Sequence, residues 1–137
     1  MAVDEALDNI ELFSQLSKRE RRHITRLMTP VGVKAGRVLT KEGDVGREFM
    51  IIIEGSATVR RRGRVLAKLG PGDFFGELAV VAGVPRTATV TADTEMVLET
   101  LNRREFSALL DESPALAKKI LVGAVRRLHE IEESIVK

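Results

Sequence analysis

The stretch Phe75-Gly-Glu-Leu-Ala-Val-Val-Ala-Gly-Val-Pro-Arg-Thr-Ala-Thr-Val90 decides how this chain is read. It interrupts a series of short β-like segments with a glycine turn, a carboxylate, a helical run, a proline and an arginine. Gly70, Gly72 and Gly76 relax the backbone around the turn, and Gly76 would let a small ligand approach the main chain. Leu78 and Ala79 open a short helical stretch, Leu78 to Ala82, whose unpaired N–H groups and positive dipole end favour an anion. Pro85 ends that stretch and sets the position of Arg86. A guanidinium forks onto two oxygens at once, which suits a phosphate with only two free oxygens. Glu77 would repel such a phosphate unless it accepts a hydrogen bond from another part of the ligand, and a ribose hydroxyl fits. Thr87 adds a hydroxyl and Ala88 a backbone N–H. Two plainer readings stand beside this one. Glu77 and Arg86 could form a salt bridge across a loop, and glycine-rich turns are common in β-proteins.

Outward from this stretch, the pattern from Val31 to Leu101 is that of strands. Runs rich in Val, Ile, Thr and Leu cover Val38 to Thr40, Phe49 to Ile53, Ala57 to Arg61, Val65 to Leu69, Ala88 to Thr91 and Met96 to Leu101. Glycine and Asp turns separate them, among them Glu42-Gly-Asp44, Glu54-Gly55, Arg62-Gly63 and Gly70-Pro-Gly-Asp73. Short strands at such regular spacing predict an antiparallel β jelly-roll barrel.

Helices flank the barrel. Ser17-Lys-Arg-Glu20 is a capping box, followed by Ile24, Leu27 and Met28 at helical spacing, with Pro30 as the stop. Upstream, Ile10, Leu12, Phe13 and Leu16 form an apolar patch expected to pack beside this helix. After Asn102 the helical period returns as Arg103 to Leu110, and Ser113-Pro114 opens a second helix with Ser as N-cap and Pro in the first turn. Along it Ala117, Leu121, Ala124, Leu128, Ile131 and Ile135 form a narrow heptad seam. That stripe is expected to pack on the barrel, with a homodimer seam as the alternative. The expected organisation is a single domain, 1–137, comprising an N-terminal helical segment 1–29, a barrel 30–102 with the loop 75–90, and C-terminal helices 103–137.

Composition excludes several function classes. The chain has 137 residues, 44% hydrophobic and 31% charged, the balance of an ordinary globular protein. With no cysteine there is no disulfide, thiolate metal site or thiol nucleophile. The densest apolar run, Phe49 to Ile53, is far too short to span a membrane. Residues Met1 to Ala6 lack the basic and apolar regions of a signal peptide, so a cytoplasmic location is expected. A net charge of +2 is too small to argue nucleic-acid binding. The basic clusters at Lys18, Arg19, Arg21, Arg22 and Arg26, and at Arg60, Arg61, Arg62, Arg64 and Lys68, read as solvated surface. The two histidines, His23 and His129, fall in helical segments away from the barrel. No metal site and no nucleophile–base pair is expected, and therefore no enzyme.

Phe75-Gly-Glu-Leu-Ala79 followed by Pro85-Arg-Thr-Ala-Thr-Val90 resembles the phosphate-binding cassette of cyclic nucleotide-binding domains. Such domains occur in protein kinase A regulatory subunits, cyclic nucleotide-gated channels and bacterial catabolite activators. The resemblance extends over nearly the whole chain. It implies a sensor whose C-terminal helix shifts on ligand binding, with cAMP as the ligand, cGMP as the alternative, and no other cofactor. By position, Glu77 would hold the ribose 2′-hydroxyl and Arg86 the cyclic phosphate. Gly76, Leu78, Ala79 and Ala88 would supply backbone donors, and Thr87 its hydroxyl and amide. The base would lie against Val65, Leu66 or Ala67, under a lid near Arg126, Arg127 or Glu130. The catabolite activators continue into a DNA-reading helix-turn-helix, whereas this sequence ends at Lys137. It therefore reads as a sensor without its output, stand-alone or a fragment of a larger regulated factor, channel or enzyme, with an unknown effector. A ligand-free interaction or dimerisation module on the same fold is the alternative.

Overall fold

The computed structural model describes residues 11–14, 16–76, 83 and 85–136, apart from the side chains of 11, 128 and 130–136. After a 3₁₀ turn at Glu11–Phe13, α1 spans Lys18–Leu27. Its capping box is formed: the Glu20 N–H donates to Ser17 Oγ at 3.1 Å, and the Ser17 N–H to Glu20 Oε1 at 3.1 Å. The helix ends earlier than Pro30 predicts. Met28 is already extended, and Pro30 lies inside a strand, β1 (Thr29–Val33). A residue preceding proline is pushed to extended backbone, which moves the boundary back.

The barrel is two four-stranded antiparallel sheets. The first, in the order β1-β8-β3-β6, contains β1, β8 (Met96–Asn102), β3 (Glu48–Glu54) and β6 (Phe74–Phe75). The second, β2-β7-β4-β5, contains β2 (Val38–Thr40), β7 (Thr89–Ala92), β4 (Ala57–Arg61) and β5 (Arg64–Leu69). This is the predicted jelly roll. Pro30 is tolerated because β1 is an edge strand, where a missing donor leaves no ladder bond broken.

The apolar run Phe49-Met-Ile-Ile-Ile53 explains how the sheets and helices share one wall. Successive strand side chains point to opposite faces. Met50 and Ile52 turn inward and join Phe75, Met96, Leu98, Ala57, Leu69, Val90 and Ala92 between the sheets. Phe49 and Ile51 turn outward and meet Phe13, Ile24, Leu101, Phe106, Leu109, Leu116 and Ile120 beneath the helices. A strand buried on both faces reads as continuously apolar for that reason. Each such side chain removed from water contributes about 1.5–3 kcal/mol. Phe49 stacks on Phe106 with centroids 4.5 Å apart and meets Phe74 at 5.6 Å.

Two helices close the fold, α2 (Arg103–Glu112) and α3 (Pro114–Val136). Asn102 and Glu105 form a second capping box, and Ser113 Oγ accepts from the Leu116 N–H at 3.3 Å. The His23 Nε2 to Glu112 Oε2 contact, 2.5 Å, joins α1 to the end of α2. The seam expected on α3 is met in part: Ala124 is buried and Ala117 half-buried, Leu121 departs from them, and the side chains of Leu128, Ile131 and Ile135 lie outside the described residues. Leu121 is 63% exposed, while Leu116, Ile120 and Ala124 are buried. The cause is Gly123, where an added Cβ would stand 2.6 Å from Cζ of Phe74. The helix rests on that ring through its glycine, which rotates the bulkier seam residue outward. Among the described residues, no helix is long and apolar enough to cross a membrane.

Candidate functional site

The cassette leaves the first sheet at β6 and rejoins the second at β7, so its two ends are fixed by different sheets. At the first end, Gly76 has φ +92°, the left-handed region that glycine adopts freely. A Cβ there would meet Nη1 of Arg86 at 2.5 Å and the Glu48 carbonyl oxygen at 2.6 Å. Gly76 thus serves the arginine as much as any ligand, because a side chain would occupy the space that the guanidinium fills.

Arg86 stands at the second end and is only 9% exposed. Its Nη2 donates to the Glu48 carbonyl at 2.8 Å, and Nη1 to the Gly76 carbonyl at 3.3 Å. A charge this buried is stable only when its donors are satisfied, and two main-chain carbonyls contribute here. The backbone is held too. The Arg86 N–H donates to the Asp44 carbonyl at 2.8 Å, and the Gly43 N–H to the Arg86 carbonyl at 2.9 Å. Pro85 and Val45 form an isolated antiparallel bridge beside these bonds. The Glu42-Gly-Asp44 turn is therefore a clamp on the cassette's exit. Its neighbours continue the attachment: Thr40 Oγ1 donates to the Ala88 carbonyl at 3.1 Å, and the Glu42 N–H to Thr89 Oγ1 at 3.0 Å.

The structure brings Gly76 and Arg86 together. Thr87 is exposed and Ala88 half-buried at the entrance to β7. Glu77, Leu78, Ala79 and the helical stretch to Ala82 lie outside the described residues, as does the Glu130 side chain. Val65, Leu66 and Ala67 lie on β5, with Val65 half-exposed and the other two half-buried. Arg126 is exposed on α3. Arg127 is half-buried, its guanidinium 5.3 Å from the centre of the Phe74 ring while Nη2 donates to the Phe74 carbonyl. It ties α3 to the strand that ends immediately before Gly76.

Sequence reasoning missed three parts of this arrangement: the Glu48 carbonyl, the backbone clamp at Gly43 and Asp44, and the Phe74–Gly123–Arg127 contact. Backbone acceptors carry no residue signature. Gly123 did carry one, since glycine inside a helix costs about 1 kcal/mol relative to alanine and signals a close approach.

Comparison with known proteins gives a consistent result. The model of the cyclic nucleotide-binding domain matches residues 30–113. A cyclic nucleotide-gated potassium channel of Rhizobium etli is 38% identical over 118 residues, covering 86% of this chain and 33% of the channel. A cAMP-dependent protein kinase regulatory subunit of Schizosaccharomyces pombe is 35% identical over 111 residues, covering 80% of this chain and 27% of the subunit. The chain thus spans a third or less of the length of these two relatives. Among solved structures, a cAMP-bound PfPKA-R superposes with a TM-score of 0.86 at 26% identity, covering 97% of this chain and 46% of that one. Jelly roll, cassette and matched residues agree, and the chain belongs to the cyclic nucleotide-binding domain family.

Proposed function

We propose that this domain is a regulatory sensor that binds cAMP on its cassette and passes occupancy to α3. The observation that carries the reading is Arg86, a buried guanidinium held by the Glu48 and Gly76 carbonyls at the end of a cassette-like loop. Its plane is fixed before any ligand arrives, so little ordering is lost on binding. In this reading the fork of Arg86 takes the two free oxygens of the cyclic phosphate, and Glu77 accepts from the ribose 2′-hydroxyl. Gly76, Leu78, Ala79 and Ala88 contribute backbone donors, and Thr87 its hydroxyl. The base rests along Val65 to Ala67, with the α3 segment from Arg126 to Glu130 as its lid. That a cAMP-dependent kinase subunit and a cAMP-bound structure are among the relatives supports cAMP over cGMP.

The route to α3 is short. Phe74 lies two residues before Gly76, accepts from Arg127 and packs on Gly123. A ligand that moves the start of the cassette therefore acts on the support of α3. For the helix to shift, the ligand must bind its two arrangements with different affinity.

Calorimetric titration with cAMP and cGMP tests the reading. The wild-type chain binds cAMP more tightly, and Arg86→Ala loses about 2–4 kcal/mol of binding free energy, as for removal of one partner of a buried charged pair. Equal cAMP affinity in that variant overturns the assignment of Arg86. If neither nucleotide binds or raises the melting temperature, a ligand-free interaction module is the better description.

A further inference from the structure

The β4–β5 hairpin carries four arginines within five residues, Arg60, Arg61, Arg62 and Arg64. Arg61 and Arg64 are register partners, so like charges stand directly opposite, an arrangement that weakens a sheet. Arg62 opens the two-residue turn at φ 53°, followed by Gly63 at φ 77°. Asn, Asp or Gly suits that first position, and a long side chain there is disfavoured. Arg61, Arg62 and Arg64 are exposed and Arg60 is half-buried. Among the described residues, no carboxylate engages any of these four guanidiniums. Glu42 reaches the hairpin, but its Oε1 accepts from the Arg62 backbone N–H at 2.9 Å. Local rules are broken twice at one turn, and no ion pair within the described fold offsets it. Such places are where function is expected.

We infer that the hairpin tip is a docking site for an extended, Asp- and Glu-rich segment of a partner protein. Charge complementarity identifies the occupant, since guanidinium forks match carboxylates bidentately. An extended segment presents carboxylates on one side every ~6.6 Å, a repeat that a ribbon of two strands ~5 Å apart can meet. Stacking on unpaired bases and anchoring among headgroups both use surface aromatics, and without them a nucleic acid or a membrane is left with phosphate contacts alone. This chain has no Trp or Tyr, and Phe13, Phe49, Phe74, Phe75 and Phe106, its five phenylalanines, are all buried.

The test is fluorescence anisotropy of a fluorescein-labelled oligoglutamate peptide with the full chain at low salt. Binding that weakens as salt is raised is expected. A hairpin variant combining Arg61→Thr, Arg62→Asn and Arg64→Thr loses affinity by about tenfold or more. A control combining Arg19→Gln, Arg22→Gln and Arg26→Gln removes equal charge from α1 and keeps the wild-type affinity. No binding, equal loss in both variants, or no loss in the hairpin variant overturns the proposal. So does tighter binding, at matched charge, to oligothymidylate or to phosphatidylserine vesicles. The melting temperature of the hairpin variant rises as the opposed charges go. A fall would mean that the arginines serve the fold, and would also overturn the proposal.

Discussion

Arg86 and the arginines of the β4–β5 hairpin are one residue type under opposite treatment. Arg86 is buried, its guanidinium bonded to two carbonyls and its backbone clamped by the Gly43–Asp44 turn. The hairpin arginines stand close together toward solvent, and among the described residues no carboxylate engages their guanidiniums. A buried charge without partners would cost several kcal/mol, so the fold must build its surroundings. Water screens an exposed charge well enough that even an unfavourable neighbour costs little. The difference separates a position the fold has organised around from positions the fold merely accommodates.

The largest effect is expected where the buried arrangement is broken from the side. Gly76→Ala introduces a Cβ into the guanidinium of Arg86 and the Glu48 carbonyl, at a φ that alanine disfavours. Backbone strain and displacement of the arginine together lower stability by about 2–4 kcal/mol, read by urea unfolding, and cAMP affinity falls with it. Wild-type stability would show that the pocket around Arg86 is loose.

Gly123→Ala comes next. The methyl group would press on the Phe74 ring, an overpacking cost of about 1–3 kcal/mol. Alanine regains about 1 kcal/mol of helix propensity. The net is a loss of about 1 kcal/mol, with faster amide exchange along α3 as the more sensitive readout. A gain in stability would show that α3 does not rest on Phe74 through this glycine. The smallest effect belongs to the hairpin. Arg62→Asn fits the turn better and keeps the backbone bond to Glu42, so stability rises by about 0.5 kcal/mol. A loss there would mean that Arg62 has work inside the fold.

Much of this architecture was legible from residue pattern. Val38–Thr40 and Ala57–Arg61 are strands over the predicted residues, because β-branched runs between glycine turns are a local signal. Ser17 and Ser113 cap helices as expected for the same reason. The strands at Thr29–Val33 and Phe74–Phe75 were not legible. In the first, Pro30 reads as a helix stop and only its edge position makes it a strand residue. The second is two residues long and has no period. On α3 the seam misled at Leu121, because it equates bulk with burial and this helix meets Phe74 through a glycine. At the site, Gly76 and Arg86 announce themselves by residue type. The Glu48 carbonyl, 38 positions away in sequence from Arg86, does not.

The buried cluster of Phe49, Phe74 and Phe106 has an experimental consequence. Without tryptophan or tyrosine, the chain is nearly dark in the near-ultraviolet, and its fluorescence is only the faint emission of phenylalanine. A single indole introduced as Phe106→Trp, against Phe49, would emit with no competing signal. Any rearrangement between barrel and closing helices would then be visible in one channel, without a dye.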